Sequence, residues 1–126
     1  MDHSVPTGLI SPYPTEQLPE GFVYPNLFLK LIKKNPCDHY YPWLFIDPDW
    51  PSMKNIRGKI RKWYKKSVIP FASLELGDGD LACFDADDKS GDPEIVMIIF
   101  DGSNRKYGYR NFDHWLEDAR KTAGKD

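Results

Sequence analysis

Residues 68–100 read VIPFASLELGDGDLACFDADDKSGDPEIVMIIF. This stretch holds three apolar runs, 68–73, 81–84 and 95–100, separated by two turns that are rich in glycine and aspartate. Each run is predicted to be a β-strand. The last two runs are apolar on both alternating faces, so we expect them to be central strands covered on both sides. Pro70 predicts an edge or a bulge, because proline cannot donate a hydrogen bond to the ladder.

Helical periodicity occurs before and after this stretch. Residues 25–35 and 51–65 are predicted to be helices, because their apolar residues recur every three or four positions. The short apolar run 43–46 lies between them and is predicted to be a strand or an extended segment. A last helix is predicted to follow Asn111, a good N-cap residue, and to end near Gly124.

A final short strand is predicted within residues 106–109. Two early helices, several strands joined by short turns and one late helix predict an α+β fold. We expect a single domain with an antiparallel β-sheet of about four to six strands and flanking N-terminal and C-terminal helices. Residues 1–21 contain four prolines and are predicted to form a Pro-rich leader, which leaves 22–126 as the domain.

Composition predicts a folded cytoplasmic protein. An aromatic content of 14% argues against disorder. The first ten residues lack the cationic and apolar segments of a secretory signal. The longest apolar run, 95–100, is far shorter than the roughly 20 residues of a membrane-spanning helix, so no membrane association is expected. Cys37 and Cys83 are expected to be reduced thiols.

Charge is segregated along the chain, although the net charge is only −2. Seven basic residues and no acidic residue lie between Lys54 and Lys66. This basic segment has three interpretations: a nucleic-acid face, the solvated side of an amphipathic helix, or an internal counterweight to acidic turns. Because the chain is slightly acidic overall, we expect no nucleic-acid partner.

The region from Glu75 to Glu94 contains eight acidic residues against one lysine. One interpretation is an acidic surface that meets a basic protein, since such a surface steers association. Aspartates at turns also bond their own backbone. The candidate residues for this surface are Asp78, Asp80, Asp85, Asp87 and Asp88.

Catalytic and metal-binding patterns are weak. Residues 85–91 partly match a calcium loop, but Gly91 comes one place too late and the loop lacks its closing bidentate glutamate. Paired carboxylates of the glycosidase type can be chosen from any aspartate-rich chain. The three histidines are scattered, and no phosphate-binding loop or nucleophile elbow occurs. We therefore expect no catalytic residue, no metal and no cofactor.

Four short motifs occur in order: PFA at 70–72, GDGD at 77–80, CFD at 83–85 and GDPEIV at 91–96. This arrangement resembles the signature of the SUKH superfamily, the Smi/Knr group of cell-wall regulators and immunity proteins. The resemblance extends over about residues 18–120. The Pro-rich leader, the strongly basic second helix and the very apolar third run depart from the pattern.

The resemblance implies an α+β domain with an antiparallel sheet and no catalytic activity. Many bacterial members of this superfamily bind and neutralise secreted toxins, often nucleases. We therefore expect a cytoplasmic immunity protein whose partner is a cognate toxin. Two alternatives stay open: a regulatory or scaffold domain that uses the leader and the aromatic residues, and a metal-dependent hydrolase that uses the aspartate cluster. The sequence does not decide between a monomer and a dimer.

Overall fold

A computed structural model describes residues 10–33, 40–75, 79–100 and 107–124. Its main elements, in chain order, are α1 (Asn26–Ile32), β1 (Trp43–Phe45), α2 (Ile56–Tyr64), β2 (Val68–Leu74), β3 (Leu81–Asp85), β4 (Ile95–Ile98), β5 (Gly108–Tyr109) and α3 (Phe112–Thr122). The strands form one antiparallel sheet in the order β1-β2-β3-β4-β5. This confirms the predicted α+β class, with an antiparallel sheet and flanking helices.

Buried side chains cover both faces of the sheet. Along β3, Ala82 and Phe84 belong to one cluster of buried residues, whereas Leu81 and Cys83 belong to the other. The two clusters alternate because successive side chains of a strand point to opposite faces. The prediction that β3 and β4 are central strands covered on both sides is therefore confirmed.

The first cluster, here called the aromatic core, lies between the sheet, α1 and α3. Its aromatic members are Phe22, Tyr24, Phe28, Tyr40, Trp43, Phe45, Phe71, Phe84, Phe112 and Trp115. Many of these rings meet edge to face, the arrangement that the ring quadrupole favours. The high aromatic content of the sequence is therefore used in the packing of this face.

The second cluster, here called the aliphatic core, lies between the other face of the sheet and α2. Its buried members are Ile46, Ile60, Val68, Leu81, Cys83 and Ile98. Ile60 is the only buried residue of α2. Met53, before α2, and Ile56, in its first turn, add partly buried contacts to this face.

The predicted irregularity at Pro70 is a β-bulge. Pro70 lies opposite Cys83 and Ala72 lies opposite Ala82, so Phe71 is the additional residue of β2. As a result, Phe71 and Ala72 both belong to the aromatic core, although they are adjacent in sequence. The carbonyl oxygen of Phe71 accepts a hydrogen bond from the Ile46 N–H at 3.1 Å.

The predicted continuous helix over 51–65 is wrong in its first part. A 3₁₀ turn, Pro51–Met53, precedes α2, and the chain between them is extended at Lys54 and left-handed at Asn55, which has φ +65°. Asparagine tolerates the left-handed region better than most residues, so the break falls there. The apolar periodicity spans the break because residues from both parts pack against the aliphatic core.

The ends of the other helices agree with their sequence signals to within a few residues. The Oδ1 atom of Asn111 accepts the His114 N–H at 3.0 Å, which confirms the predicted N-cap of α3. Gly124 follows α3 with φ +73°, a conformation suited to glycine. Helix α1 begins after Pro25, which is its N-cap residue rather than its first helical residue. The end of that predicted helix lies outside the described residues.

Part of the predicted leader packs against the domain. Ile10 is buried in the aromatic core, and the Tyr13 N–H donates to the Tyr24 hydroxyl at 3.1 Å. The Ser11 N–H donates to the Asp47 carboxylate at 3.0 Å. Residues 10–13 therefore contribute to the fold, and the domain boundary after residue 21 stays a prediction.

Candidate functional site

The connection between β3 and β4, residues 85–94, carries most of the candidate carboxylates and is here called the acidic connection. Its first residue, Asp85, belongs to the end of β3, and the Asp85 N–H donates to the Glu94 carbonyl at 2.9 Å. The Oδ1 atom of Asp85 accepts the Asp87 N–H at 2.9 Å. This is the local bond by which an aspartate side chain stabilises a turn.

The Asp88 carboxylate accepts hydrogen bonds from two later residues of the acidic connection. Its Oδ1 atom accepts the Ser90 N–H at 3.0 Å, and its Oδ2 atom accepts the Glu94 N–H at 3.1 Å. Hydrogen bonds from Ser90, first from its side chain and then from its backbone, lower the pKa of the Asp88 carboxyl, and the Glu94 bond adds to this. The hydrogen bonds within this loop therefore stabilise the ionised form of the Asp88 carboxyl.

Two side-chain hydrogen bonds tie the acidic connection to neighbouring elements. The Nδ2 group of Asn111, the N-cap residue of α3, donates to the Asp92 carboxylate at 3.1 Å. Lys89 Nζ donates to the Glu20 carbonyl at 2.6 Å. The loop is therefore held from both sides, at Lys89 and at Asp92.

Asp87 and Glu94 have a different environment from Asp85 and Asp88. Both side chains are exposed, and neither carboxylate forms a hydrogen bond within the described part of the chain. They project from a loop that the other carboxylates stabilise. The acidic connection thus separates into residues that set its shape and residues that are available for contact.

Asp78 and Asp80 belong to the turn between β2 and β3. Asp78 lies outside the described residues. Asp80 is 9% exposed; its carbonyl accepts the Leu74 N–H at 2.8 Å and its Oδ1 atom approaches the Phe100 N–H at 3.4 Å. These contacts favour the alternative in which Asp80 shapes the hairpin. The structure therefore brings Asp85, Asp87 and Asp88 together and separates Asp80 from them.

The C-terminal end of α2 lies beside the acidic connection. Lys65, Lys66, Asp85 and Asp87 line the same surface depression, which has a volume of about 180 Å³. Lys65 follows α2 in a left-handed conformation, with φ +59°, and its N–H donates to the Arg61 carbonyl at 3.0 Å. This proximity supports the interpretation that part of the basic segment is an internal counterweight to the acidic turns.

A second concave site, here called the cationic cleft, lies at the other end of α2. Its volume is about 430 Å³. Its lining includes Tyr13, Asp49, Lys54, Ile56, Arg57 and Arg61. No cleft was predicted at this place, because the residues come from distant parts of the sequence.

Arg57 connects the N-terminal segment to α2 at this cleft. Its guanidinium lies over the Tyr13 ring, 4.9 Å from the ring centroid. Its Nη1 atom donates to the Gln17 carbonyl at 2.6 Å, across 40 positions of sequence, and its Nε atom donates to the Val68 carbonyl at 3.1 Å. Nothing in the sequence around Arg57 distinguishes it from the other basic residues of its segment, so these contacts were not predicted.

The family model of the SMI1 / KNR4 family (SUKH-1) matches residues 13–118, which is 106 of the 126 residues. The chain belongs to the SMI1/KNR4 (SUKH-1) family. The resemblance seen in the four sequence motifs is therefore confirmed, and the matched range contains both the acidic connection and the cationic cleft. No match was found among curated proteins or among solved structures.

The single described thiol of this SUKH-1 chain lies in the aliphatic core. Cys83 is completely buried, and its burial raises the pKa of the thiol. A thiol that is neutral and inaccessible is a poor nucleophile. Cys37 lies outside the described residues.

The described part of this SUKH-1 chain offers neither a cluster of metal ligands nor a membrane-spanning helix. Among residues 10–33, 40–75, 79–100 and 107–124, no three His, Cys, Asp or Glu side chains are grouped as metal ligands would be. Within the same ranges, no helix combines the length and the apolar character that crossing a bilayer requires.

Proposed function

We propose that this SUKH-1 chain is a non-enzymatic cytoplasmic protein-binding module, and specifically an immunity protein that binds and neutralises a cognate protein toxin. Membership of the family supports a role in protein interaction. The observation that carries the specific proposal is the acidic connection: Asp87 and Glu94 are exposed on a loop held by its own carboxylates.

The geometry of this loop favours binding over catalysis. Asp85 and Asp88 are engaged with backbone N–H groups, and Asp92 is engaged with Asn111. Because the loop is already ordered, docking would immobilise few additional groups, which lowers the entropic cost of association. Asp87 and Glu94 are therefore proposed as contact residues, and Asp85 and Asp88 as residues that shape the surface. Asp78 stays a predicted member of this surface, whereas the buried Asp80 is proposed to shape the hairpin instead.

The proposed target of this surface is a basic groove on the toxin. A nuclease binds its polyanionic substrate with lysine and arginine side chains. An acidic surface of complementary charge accelerates association with such a groove and occupies the place of the substrate. Toxin neutralisation would then follow from occlusion, without a chemical step.

The decisive experiment tests the proteins encoded by the neighbouring genes as toxin candidates. Binding of the full chain is measured by calorimetry at low ionic strength, for the natural chain and for a variant with Asp87→Lys and Glu94→Lys. We expect affinity to fall by about tenfold or more, because rim charges of the wrong sign repel a basic partner. The natural complex is also expected to weaken as salt is added.

A matched variant controls for the change in net charge. Glu16→Lys with Glu117→Lys reverses two exposed carboxylates that lie outside the acidic connection. This variant is expected to bind with less than about a threefold change. Equal loss in the two variants, or no loss in either, would show that the acidic connection is not the contact surface.

The alternative is a regulatory or scaffold domain that binds through exposed aromatic residues. The observation that favours it is the exposure of Tyr41 and Trp63, at 64% and 62%. Exposed tryptophan and tyrosine are frequent hot spots of protein interfaces. An isolated gene, together with a partner whose binding is abolished by Trp63→Ala and insensitive to Asp87→Lys, would support this alternative.

A further inference from the structure

We infer that the cationic cleft binds an acidic peptide segment of a protein partner. Three cationic side chains, Lys54, Arg57 and Arg61, line this concave site. Its volume of about 430 Å³ lies within the usual range of ligand sites, roughly 300–1,000 Å³. The inference goes beyond the toxin-binding proposal, because the ligand has the opposite charge and the site lies at the other end of α2.

Arg57 is positioned before any ligand arrives. Two of its five N–H donors go to the carbonyl oxygens of Gln17 and Val68, and its guanidinium stacks on Tyr13. Both acceptors are neutral, so these bonds orient the guanidinium without neutralising it. A positioned arginine is well suited to a carboxylate, which it can bind with two parallel hydrogen bonds.

Arg61 and Lys54 add two further positive charges to the same site. The one hydrogen bond that the Arg61 side chain donates in the described part of the chain goes to the Ser67 hydroxyl at 3.3 Å, which is again a neutral acceptor. Lys54 is exposed at the break before α2. Bringing a carboxylate into the cleft therefore reduces the repulsion among these three cations.

The rest of the lining favours a peptide over phosphate or a nucleic acid. Asp49 belongs to the cleft, and its carboxylate repels a phosphate dianion more strongly than a single carboxylate, while it can accept an N–H from a peptide backbone. Pro48, Met53 and Ile56 provide apolar contact for an aliphatic stem. A glutamate or aspartate within an extended segment satisfies the cationic, acceptor and apolar parts together.

The cleft and the acidic connection are separate sites on one helix. Asn55 and Lys65 flank α2, and ten residues at 1.5 Å each place them roughly 15 Å apart. One end of α2 therefore presents positive charge in a concave site, and the other end adjoins the acidic connection. Substitution of Lys54 can be tested without altering the acidic connection, whereas Arg61 also reaches Ser67 beside that connection.

The test is an NMR titration of the ¹⁵N-labelled full chain with an acetylated, amidated hexapeptide of alternating glutamate and leucine. We expect saturable shifts at the amides of Tyr13 and residues 54–58. A hexapeptide of alternating glutamine and leucine, with the same shape and no charge, is expected to give no saturable shift. Inorganic phosphate at the same concentration is expected to bind at least about tenfold more weakly.

The variant that tests the cleft is Lys54→Gln with Arg61→Gln, which spares the structural bonds of Arg57. It is expected to weaken the acidic peptide about tenfold. The matched control, Lys59→Gln with Lys62→Gln, removes the same charge from exposed positions of α2 outside the cleft and is expected to change affinity less than about twofold.

Three outcomes would overturn the inference. The first is the absence of saturable shifts at the cleft amides. The second is equal weakening by the two double variants, which would indicate general charge attraction. The third is binding of phosphate or of a short DNA duplex as tight as that of the acidic peptide, which would indicate a polyanion site. Binding of the natural chain to its toxin is independent of all three, so failure of the peptide titration leaves the proposed function intact.

Discussion

The helices on the two faces of the sheet differ in how many side chains they bury. On the aromatic core, α3 contributes four buried residues, Phe112, Trp115, Leu116 and Ala119. On the aliphatic core, α2 contributes Ile60 alone. Helix α3 therefore contributes mainly to the packing of the core, whereas α2 keeps most of its surface in solvent.

This difference explains where the two proposed binding sites lie. A helix that buries one side chain leaves both of its ends and its outer side available to partners. The cationic cleft lies at the start of α2, and the acidic connection lies beside its end. Substitutions that act on one face at a time can test this difference. Their expected effects on the free energy of unfolding decrease from Phe71 through Ile60 and Lys65 to Asp88.

Phe71→Ala is expected to have the largest effect, because the ring is 1% exposed and stacks on Phe84 at a centroid distance of 4.4 Å. Removing a buried phenylalanine leaves a cavity and costs about 3–5 kcal/mol of unfolding free energy. Urea denaturation at neutral pH measures it. Tyr41→Ala, at a 64% exposed position, is the control and is expected to change stability by less than about 0.5 kcal/mol.

Ile60→Ala tests the aliphatic core. The side chain is completely buried, so we expect a loss of about 2–3 kcal/mol, near the low end for such deletions. Hydrogen exchange is expected to accelerate in α2 more than in β3, because Ile60 is the one fully buried residue of α2. A uniform acceleration, or a loss larger than that of Phe71→Ala, would contradict the difference between the two faces.

Lys65→Gly is expected to stabilise the chain by about 0.5–1 kcal/mol. Lys65 adopts φ +59°, which glycine accepts without the steric penalty of a side chain. Thermal unfolding and urea denaturation both report the gain. Lys66→Gly, which removes the same charge without the left-handed backbone, is the control; a gain of equal size there would attribute the effect to charge.

Asp88→Asn is expected to have the smallest effect at neutral pH, a few tenths of a kcal/mol, since its charge is exposed and screened. Because the folded pKa of Asp88 is lowered below its usual value of about 4, its stabilisation is present above that pH and is lost as pH falls through the folded pKa. The stabilities of the natural chain and the variant should therefore converge as the pH falls below the folded pKa of Asp88.

The control for this pH series is Asp87→Asn. Asp87 is exposed on the same loop, and its carboxylate accepts no hydrogen bond within the described residues. Its denaturation profile from about pH 7 to about pH 3 is expected to follow that of the natural chain. A pH-dependent loss equal to that of Asp88→Asn would show that general charge, and not the Ser90 and Glu94 bonds, stabilises the loop.

Local sequence signals determined most of the fold of this protein. Continuous apolar runs predicted β2, β3 and β4, Pro70 predicted an edge or a bulge, and Asn111 predicted the start of α3. These signals succeed because each depends on the chemistry of a residue and its near neighbours. The motifs within residues 70–96 also predicted the family, since they lie in this locally determined part of the chain.

Tertiary structure alone decided how the charged residues are used. It separated the buried Asp80 from Asp87, placed Lys65 and Lys66 beside the acidic connection, and brought Tyr13 to Arg57. The break at Asn55 was also missed, because the apolar periodicity continues through it. Such features depend on contacts between residues far apart in sequence, and no local pattern of charge or hydropathy specifies which of those residues will meet.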